Sequence, residues 1–265
     1  MERKPISKET RKSEHKICGF HACMALFHQR PGDIIRAYVT EETRKPFGPM
    51  LKFCAQNRLA YHIVDPIDLA KIAESDHHEG VCVLAKSPKY LDLKDFLQTG
   101  AKSGVVLWLV GVENPHNVGA ILRTAAHFGI GAVLVTPGGP ASARPAKWTL
   151  PASALRIAEG GAEHVPVIVA ASPVAETSRD LKKSGFALFA TSGSPVALDA
   201  LRAKLRTPCV IALGAEGPGL PENLLKSADA TLRIPGTGKV ESLNVSVAAG
   251  ILASIAVIAV NPREP

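Results

Sequence analysis

Two hydrophobic rhythms alternate along this chain. Short apolar runs recur at 34–39, 61–64 and 81–85, and more strongly at 105–110, 132–135, 165–169, 187–191 and 209–213. Runs of that length, rich in Val, Ile, Leu and Ala and free of polar alternation, read as strands buried on both faces. Between them, apolar residues spaced three and four apart predict helices over 17–28, 46–57, 67–73, 118–128, 174–184 and 221–227. The first offers Ile17, Phe20, Ala25 and Phe27 to a core. Pro46 opens the second, and Asp65-Pro66 reads as a cap with proline in the first turn of the third. Segment 245–260 (VSVAAGILASIAVIAV) is almost wholly apolar. It is shorter than the ~20 residues of a membrane span, and its Ala, Gly and Ser suit close packing, so it reads as a buried helix.

Strands alternating with helices predict an α/β chain in two parts. A charged tail over 1–14 precedes a small α/β domain at 15–86. A connection at 87–104 contains Ser87-Pro88, Thr99-Gly100 and Ser103-Gly104. A doubly wound parallel-sheet domain then fills 105–265. Such sheets take ligands at the carboxyl ends of their strands, which is where the chain's Gly, Pro and Asn clusters fall.

Composition narrows the classes. A chain of 265 residues with 46% hydrophobic residues builds a real core, which excludes disorder, collagen and coiled coil for the whole. Net charge is +7 and the isoelectric point is near 9.2, which suits an acidic partner such as nucleic acid. The surplus is spread, with 16 basic against 13 acidic side chains in residues 1–100 and 15 against 11 in 101–265. Any RNA-binding face is therefore assembled by folding. Cys18, Cys23, Cys54, Cys82 and Cys209 show no C-x-x-C pair, which suits buried thiols in a reducing compartment rather than disulfides or a metal. Residues 1–16 carry no apolar stretch, so no secretory signal is expected.

Three segments place isolated polar residues among Gly and Pro at strand ends: NPHNVGAILRTA (114–125), LGAEGPGL (213–220) and IPGTGKVESLNVSVA (234–248). They are not common nucleotide fingerprints. No G-x-G-x-x-G follows a strand. Gly236-Thr237-Gly238-Lys239 fails as a phosphate loop because Arg233 and Val240 occupy the positions of its leading glycine and its hydroxyl. There is no G-x-S-x-G for an acyl-transferring serine.

In order and spacing the three segments resemble the motifs of the SpoU (TrmH-like) family, the RNA 2′-O-ribose methyltransferases of the SPOUT superfamily. The resemblance covers about 105–260. Residues 15–86 are similar, more weakly, to the ribosomal-protein-like domain that many members carry in front. The resemblance implies a parallel-sheet domain closed by a trefoil knot, S-adenosylmethionine as cofactor, structured rRNA or tRNA as substrate, a homodimer, a cytoplasmic setting, and neither metal nor membrane. Gly214, Ile234 and Leu243 match cofactor-contacting positions. Gly214 can bring backbone close to a ligand, while Ile234 and Leu243 read equally well as core. Arg123, Asn117, Glu216, Ser242 and Asn244 match the catalytic set.

Each of these has a plainer reading beside the functional one. Arg123 on an apolar helix could pair with a carboxylate. Asn117, just before that helix, could serve as its N-cap, and Ser242 and Asn244 could cap the last helix. Glu216, between glycine and proline, suits orienting Arg123 or Asn117. Guanidinium resists deprotonation, so Arg123 fits a clamp on phosphate and developing alkoxide better than a base. His116 reads as a solvated loop residue, and Lys239 and Glu241 as contacts to substrate or to each other. The alternative from another class is a non-catalytic RNA-binding or ribosome-assembly protein that keeps the fold.

Overall fold

The computed structural model describes residues 14–99, 104–139, 148–194 and 196–260, so most of the predicted tail lies outside it. In chain order the elements are β1 (Glu14–Cys18), α1 (Phe20–Gln29), β2 (Ile34–Val39), α2 (Glu41–Arg44), α3 (Gly48–Gln56), β3 (Ala60–Ile63), α4 (Pro66–Ala73) and β4 (Val81–Lys86). Then come β5 (Leu91–Asp92), α5 (Leu93–Gln98), β6 (Val105–Val110), α6 (Pro115–Phe128), β7 (Ala132–Thr136), α7 (Ala152–Ile157), α8 (Gly161–His164) and β8 (Val167–Val169). The chain finishes with α9 (Val174–Lys183), β9 (Ala187–Thr191), β10 (Leu198–Asp199), β11 (Cys209–Gly214), α10 (Glu222–Ser227), β12 (Ala230–Arg233) and α11 (Val245–Val260). They fall into two compact units, and the division is not the one expected from sequence. The first unit takes the chain up to Lys89 together with Thr149–Glu163; the second takes Tyr90–Trp148 and His164 onward.

Among the described residues the first unit holds a four-stranded sheet in the order β1-β4-β2-β3. β4 runs antiparallel to both β1 and β2, while β3 lies parallel to β2. The helix expected over 17–28 begins later. Residues 14–18 form an edge strand, and Gly19, at φ 100°, turns the chain into α1 with a backbone that residues bearing a Cβ rarely adopt. Ile17 is a core residue, but on a strand. Helix α1 buries Ala22, Cys23 and Leu26, and not Phe20, Ala25 or Phe27. Register puts Ile17, Ala37, Val39, Val83 and Ala85 on one buried face. On the other, Cys18 and Cys82 pack with Leu69 and Ala73 of α4.

The late segment joins this unit through α7, which packs against β1. An ion pair ties it further: Arg30 Nε donates to Glu163 Oε2 at 2.7 Å and Nη2 to Oε1 at 2.9 Å. The Arg30 and Glu163 side chains are only 15% and 8% exposed. Burial opposes the Arg30 charge, but Glu163 and then Asp33 outweigh it and hold the guanidinium above its usual range.

The second unit is a parallel sheet of eight strands among the described residues, in the order β10-β12-β9-β11-β6-β7-β8-β5. Every residue of β6 and β7 is buried, as expected for strands covered on both faces. Trp108, fully buried, donates from Nε1 to Thr136 Oγ1 at 2.9 Å, so its polar atom is satisfied within the core. The stretch 87–104, expected as a connection, is partly built into this unit, since β5 pairs with β8 and α5 sends Leu93 and Phe96 into the core. Helix α11 has the expected bounds but is buried on one side only. Val245, Ala249, Leu252, Ala253 and Ala256 face inward, whereas Val247 and Ile258 are 51% and 66% exposed.

Candidate active site

Three loops leave the carboxyl ends of β6, β11 and β12. β6 and β11 are neighbours in register, Val110 opposite Gly214, so their loops start side by side. The loop after β12 passes the end of β9, where a Cβ on Gly193 would lie 3.4 Å from the Glu241 carbonyl oxygen, and then enters α11.

The loop after β6 becomes α6. Its cap is Asn114, not Asn117: Asn114 Oδ1 accepts from the His116 N–H at 2.9 Å, and Pro115 fills the first helical position. Asn117 lies inside the first turn and is 6% exposed. Its Nδ2 donates to Glu216 Oε1 at 3.1 Å, and its Oδ1 accepts from Asn244 Nδ2 at 3.0 Å. Asn244 Nδ2 also donates to Glu216 Oε1, at 2.9 Å, which closes a triangle of three side chains from three loops. Asn244 caps as well as joins. Its Oδ1 accepts from the Ser246 N–H at 2.9 Å and from Ser246 Oγ at 2.6 Å, in the first turn of α11.

Glu216 is held by its own loop. The chain doubles back so that Gly219 N–H donates to the Ala215 carbonyl at 3.0 Å, with Gly217 and Gly219 at φ 87° and 67°. Gly214 lies beneath that fold, and a Cβ there would sit 2.3 Å from the Gly219 carbonyl carbon. The close approach that requires glycine at 214 is therefore to the chain's own backbone.

The remaining expected residues lie in different settings. Arg123 is exposed on α6. Ser242 and Leu243 are exposed and Ile234 is half-buried, so neither apolar residue is ordinary core. Ser242 has no side-chain hydrogen bond among the described residues. His116, Lys239 and Glu241 are exposed, and the Lys239 N–H reaches Thr237 Oγ1 at 3.4 Å in a local turn. Among the described residues, none from Ile234 to Leu243 makes a backbone–backbone hydrogen bond. The loop therefore carries main-chain groups without backbone partners, beside the exposed Leu243 and the half-buried Ile234.

Two contributors were not singled out from sequence. Ser246 orients the Asn244 amide, and Glu113 Oε1 accepts from the Gly138 N–H at 2.9 Å, tying the loop after β6 to that after β7. Asn-x-Ser at a helix start signals the first, and nothing local signals the second. Helices α6 and α11 also pack together and leave an apolar groove lined by Ala120, Thr124, Phe128, Val247, Ile251 and Ile255. Among the described residues, no helix is long and apolar enough to cross a membrane, and no three His, Cys, Asp or Glu side chains gather as metal ligands.

Comparisons with known proteins follow the same outline. Residues 104–254 match the SpoU rRNA methylase family, and residues 16–91 match the RNA 2′-O ribose methyltransferase substrate-binding family. An uncharacterized tRNA/rRNA methyltransferase, YfiF of Escherichia coli O157:H7, is 35% identical over 250 residues, covering 93% of this chain and 69% of that protein. The 23S rRNA (guanosine-2′-O-)-methyltransferase RlmB of Nitrosomonas europaea is 33% identical over 238 residues, covering 89% of this chain and 88% of that one. The AdoMet-bound rRNA methyltransferase of Sinorhizobium meliloti shares the fold with a TM-score of 0.73 at 21% identity, covering 94% of this chain and 90% of that one. The chain belongs to the SpoU family of RNA 2′-O-ribose methyltransferases.

Proposed function

We propose that this enzyme methylates a ribose 2′-hydroxyl in structured ribosomal or transfer RNA in the cytoplasm, and that the Asn117–Glu216–Asn244 triangle is the frame of its reaction centre. The observation that carries the reading is the convergence of three sequence-distant loops on one carboxylate oxygen at the carboxyl end of the parallel sheet. The name of the RlmB relative favours a guanosine of 23S rRNA.

Gly214, Ile234 and Leu243 would hold the cofactor, with main-chain groups of 234–243 around its adenosine, in a C-terminal segment threaded as the family's trefoil knot. When bound, S-adenosylmethionine supplies an electrophilic sulfonium methyl. The chain's own residues do the rest. Arg123 clamps the phosphate beside the target ribose with its two-pronged guanidinium and offsets the charge developing on the 2′-oxygen. Glu216 gathers the two asparagine amides and so sets the positions of α6 and α11 on either side of the site. Ser242 faces the RNA. The N-terminal unit, which matches a substrate-binding family, holds the RNA by shape and phosphate contacts. The apolar groove between α6 and α11 becomes the interface of a homodimer, covering Val247 and its neighbours.

The test is incubation with labelled S-adenosylmethionine and, separately, unmodified ribosomal RNA and tRNA, followed by nuclease digestion and nucleoside mass spectrometry. A 2′-O-methylnucleoside in one pool is expected. Cofactor binding with base methylation, or label in protein instead of RNA, would overturn the reading.

A further inference from the structure

All five cysteines are free and buried, and two of them touch. Cys18 ends β1, Cys82 lies in β4, and the antiparallel register sets them directly opposite each other. Their sulfurs lie 3.2 Å apart in a thiol–thiol hydrogen bond. Opposed antiparallel partners have Cα separations of about 4.5 or 5.5 Å, both within the range that a disulfide bridges. Closing the sulfurs to the ~2.05 Å of a covalent bond takes side-chain rotation of about 1 Å and no new backbone path.

The two thiols are not equivalent. The shared hydrogen bond pulls Cys18 below the usual thiol range and pushes Cys82 above it. Cys23, buried and donating to the Ile17 carbonyl at 3.1 Å, is pushed up by burial and is otherwise engaged. Cys18 also ends an edge strand, whose backbone is paired with β4 alone in the sheet. The family's reaction uses none of these sulfurs.

We propose that Cys18 and Cys82 are an oxidation site that closes into a cross-strand disulfide when the protein meets a hydroperoxide. The Cys18 thiolate attacks the peroxide O–O bond, taking one oxygen as a sulfenic acid, and the departing hydroxide leaves as water with the Cys18 proton. The Cys82 sulfur then displaces the sulfenic hydroxyl, which leaves as a second water with the Cys82 proton. Two thiols and one hydrogen peroxide give one disulfide and two waters. The bond pins β1 to β4 and closes a separation of 64 residues, which stiffens the N-terminal unit.

The test treats the full chain with hydrogen peroxide, quenches it, and counts thiols in denaturant. Five free thiols are expected to fall to three, with a Cys18–Cys82 linked peptide in the digest and full recovery on adding dithiothreitol. The oxidised chain should unfold at higher urea than the reduced one. Cys209→Ser should lose two thiols in the same way, whereas Cys18→Ser and Cys82→Ser should form no intramolecular bond. Five thiols surviving at a peroxide dose that oxidises a free-cysteine control, or a linked peptide joining other cysteines, would overturn the proposal.

Discussion

The two units solve the same problem in opposite ways. Each is closed by polar side chains far apart in sequence: Arg30 and Glu163 are 133 residues apart in the first, Asn117 and Asn244 are 127 apart in the second. In the first unit the contact is a partly buried bidentate ion pair between opposite charges. In the second it is a rim of amides around one carboxylate on an exposed loop. Such a pair resists rearrangement, because Glu163 left without Arg30 is a stranded charge. A rim of neutral amides on a carboxylate keeps its remaining capacity open towards solvent, where a ligand can arrive. Under the proposed function, the difference separates a contact that holds a fold from one that presents chemistry.

The comparison breaks most visibly at Arg123. Arg123→Ala should lower methyl transfer about 10³-fold, a loss typical of removing charge stabilisation from a transition state, while S-adenosylmethionine affinity by calorimetry stays within about threefold. Equal losses in both would place Arg123 in the cofactor pocket. Arg30→Ala should do the reverse. It strands Glu163 and should destabilise the first unit by about 3–5 kcal/mol, read as a lower denaturation midpoint, with cofactor binding retained at low temperature.

Gly214→Ala should cost about 1–3 kcal/mol through overpacking, because the new methyl meets the Gly219 backbone. It should also displace Glu216, so activity falls together with stability. The smallest effect is at Asp229, which accepts from the Leu188 N–H at 2.7 Å and from Lys182 at 2.8 Å. Burial opposes its charge, but Lys182 and the Leu188 amide outweigh it and hold the carboxyl below its usual 3.8. A depressed carboxyl stabilises the fold above its unfolded value and loses that contribution as pH falls through the folded one. Thermal midpoints of wild type and Asp229→Asn should therefore differ at pH 6, and the gap should close as the pH is lowered past the usual 3.8.

Much of the second unit was readable from hydrophobic rhythm. The strands at 105–110 and 187–191 and the helix at 245–260 have the expected bounds, because long apolar runs bounded by glycine and polar turns leave few alternatives. β1 was misread because five residues of half-polar edge strand followed by a helix share one continuous apolar spacing, and only the positive φ at Gly19 separates them. The sequence reading placed segment 149–163 with the second unit, whereas its contacts group it with the first. What assigns it to the first unit is Glu163 meeting Arg30 and α7 meeting β1, and no local pattern encodes partners that distant. At the site, the three loops were legible from their motifs, but not the division of labour within them. Asn114 took the cap because proline at the next position fixes the helix start, which released Asn117 for Glu216.

The central claim is that Glu216, through Asn117 and Asn244, organises methyl transfer rather than the fold. Single-turnover transfer from labelled S-adenosylmethionine to the RNA pool that accepts methyl, measured for wild type and Glu216→Ala alongside their thermal midpoints, tests it directly. The account predicts a fall of about 10²-fold or more in the transfer rate with midpoints within a few degrees. A folded Glu216→Ala enzyme that transfers methyl at the wild-type rate would contradict it.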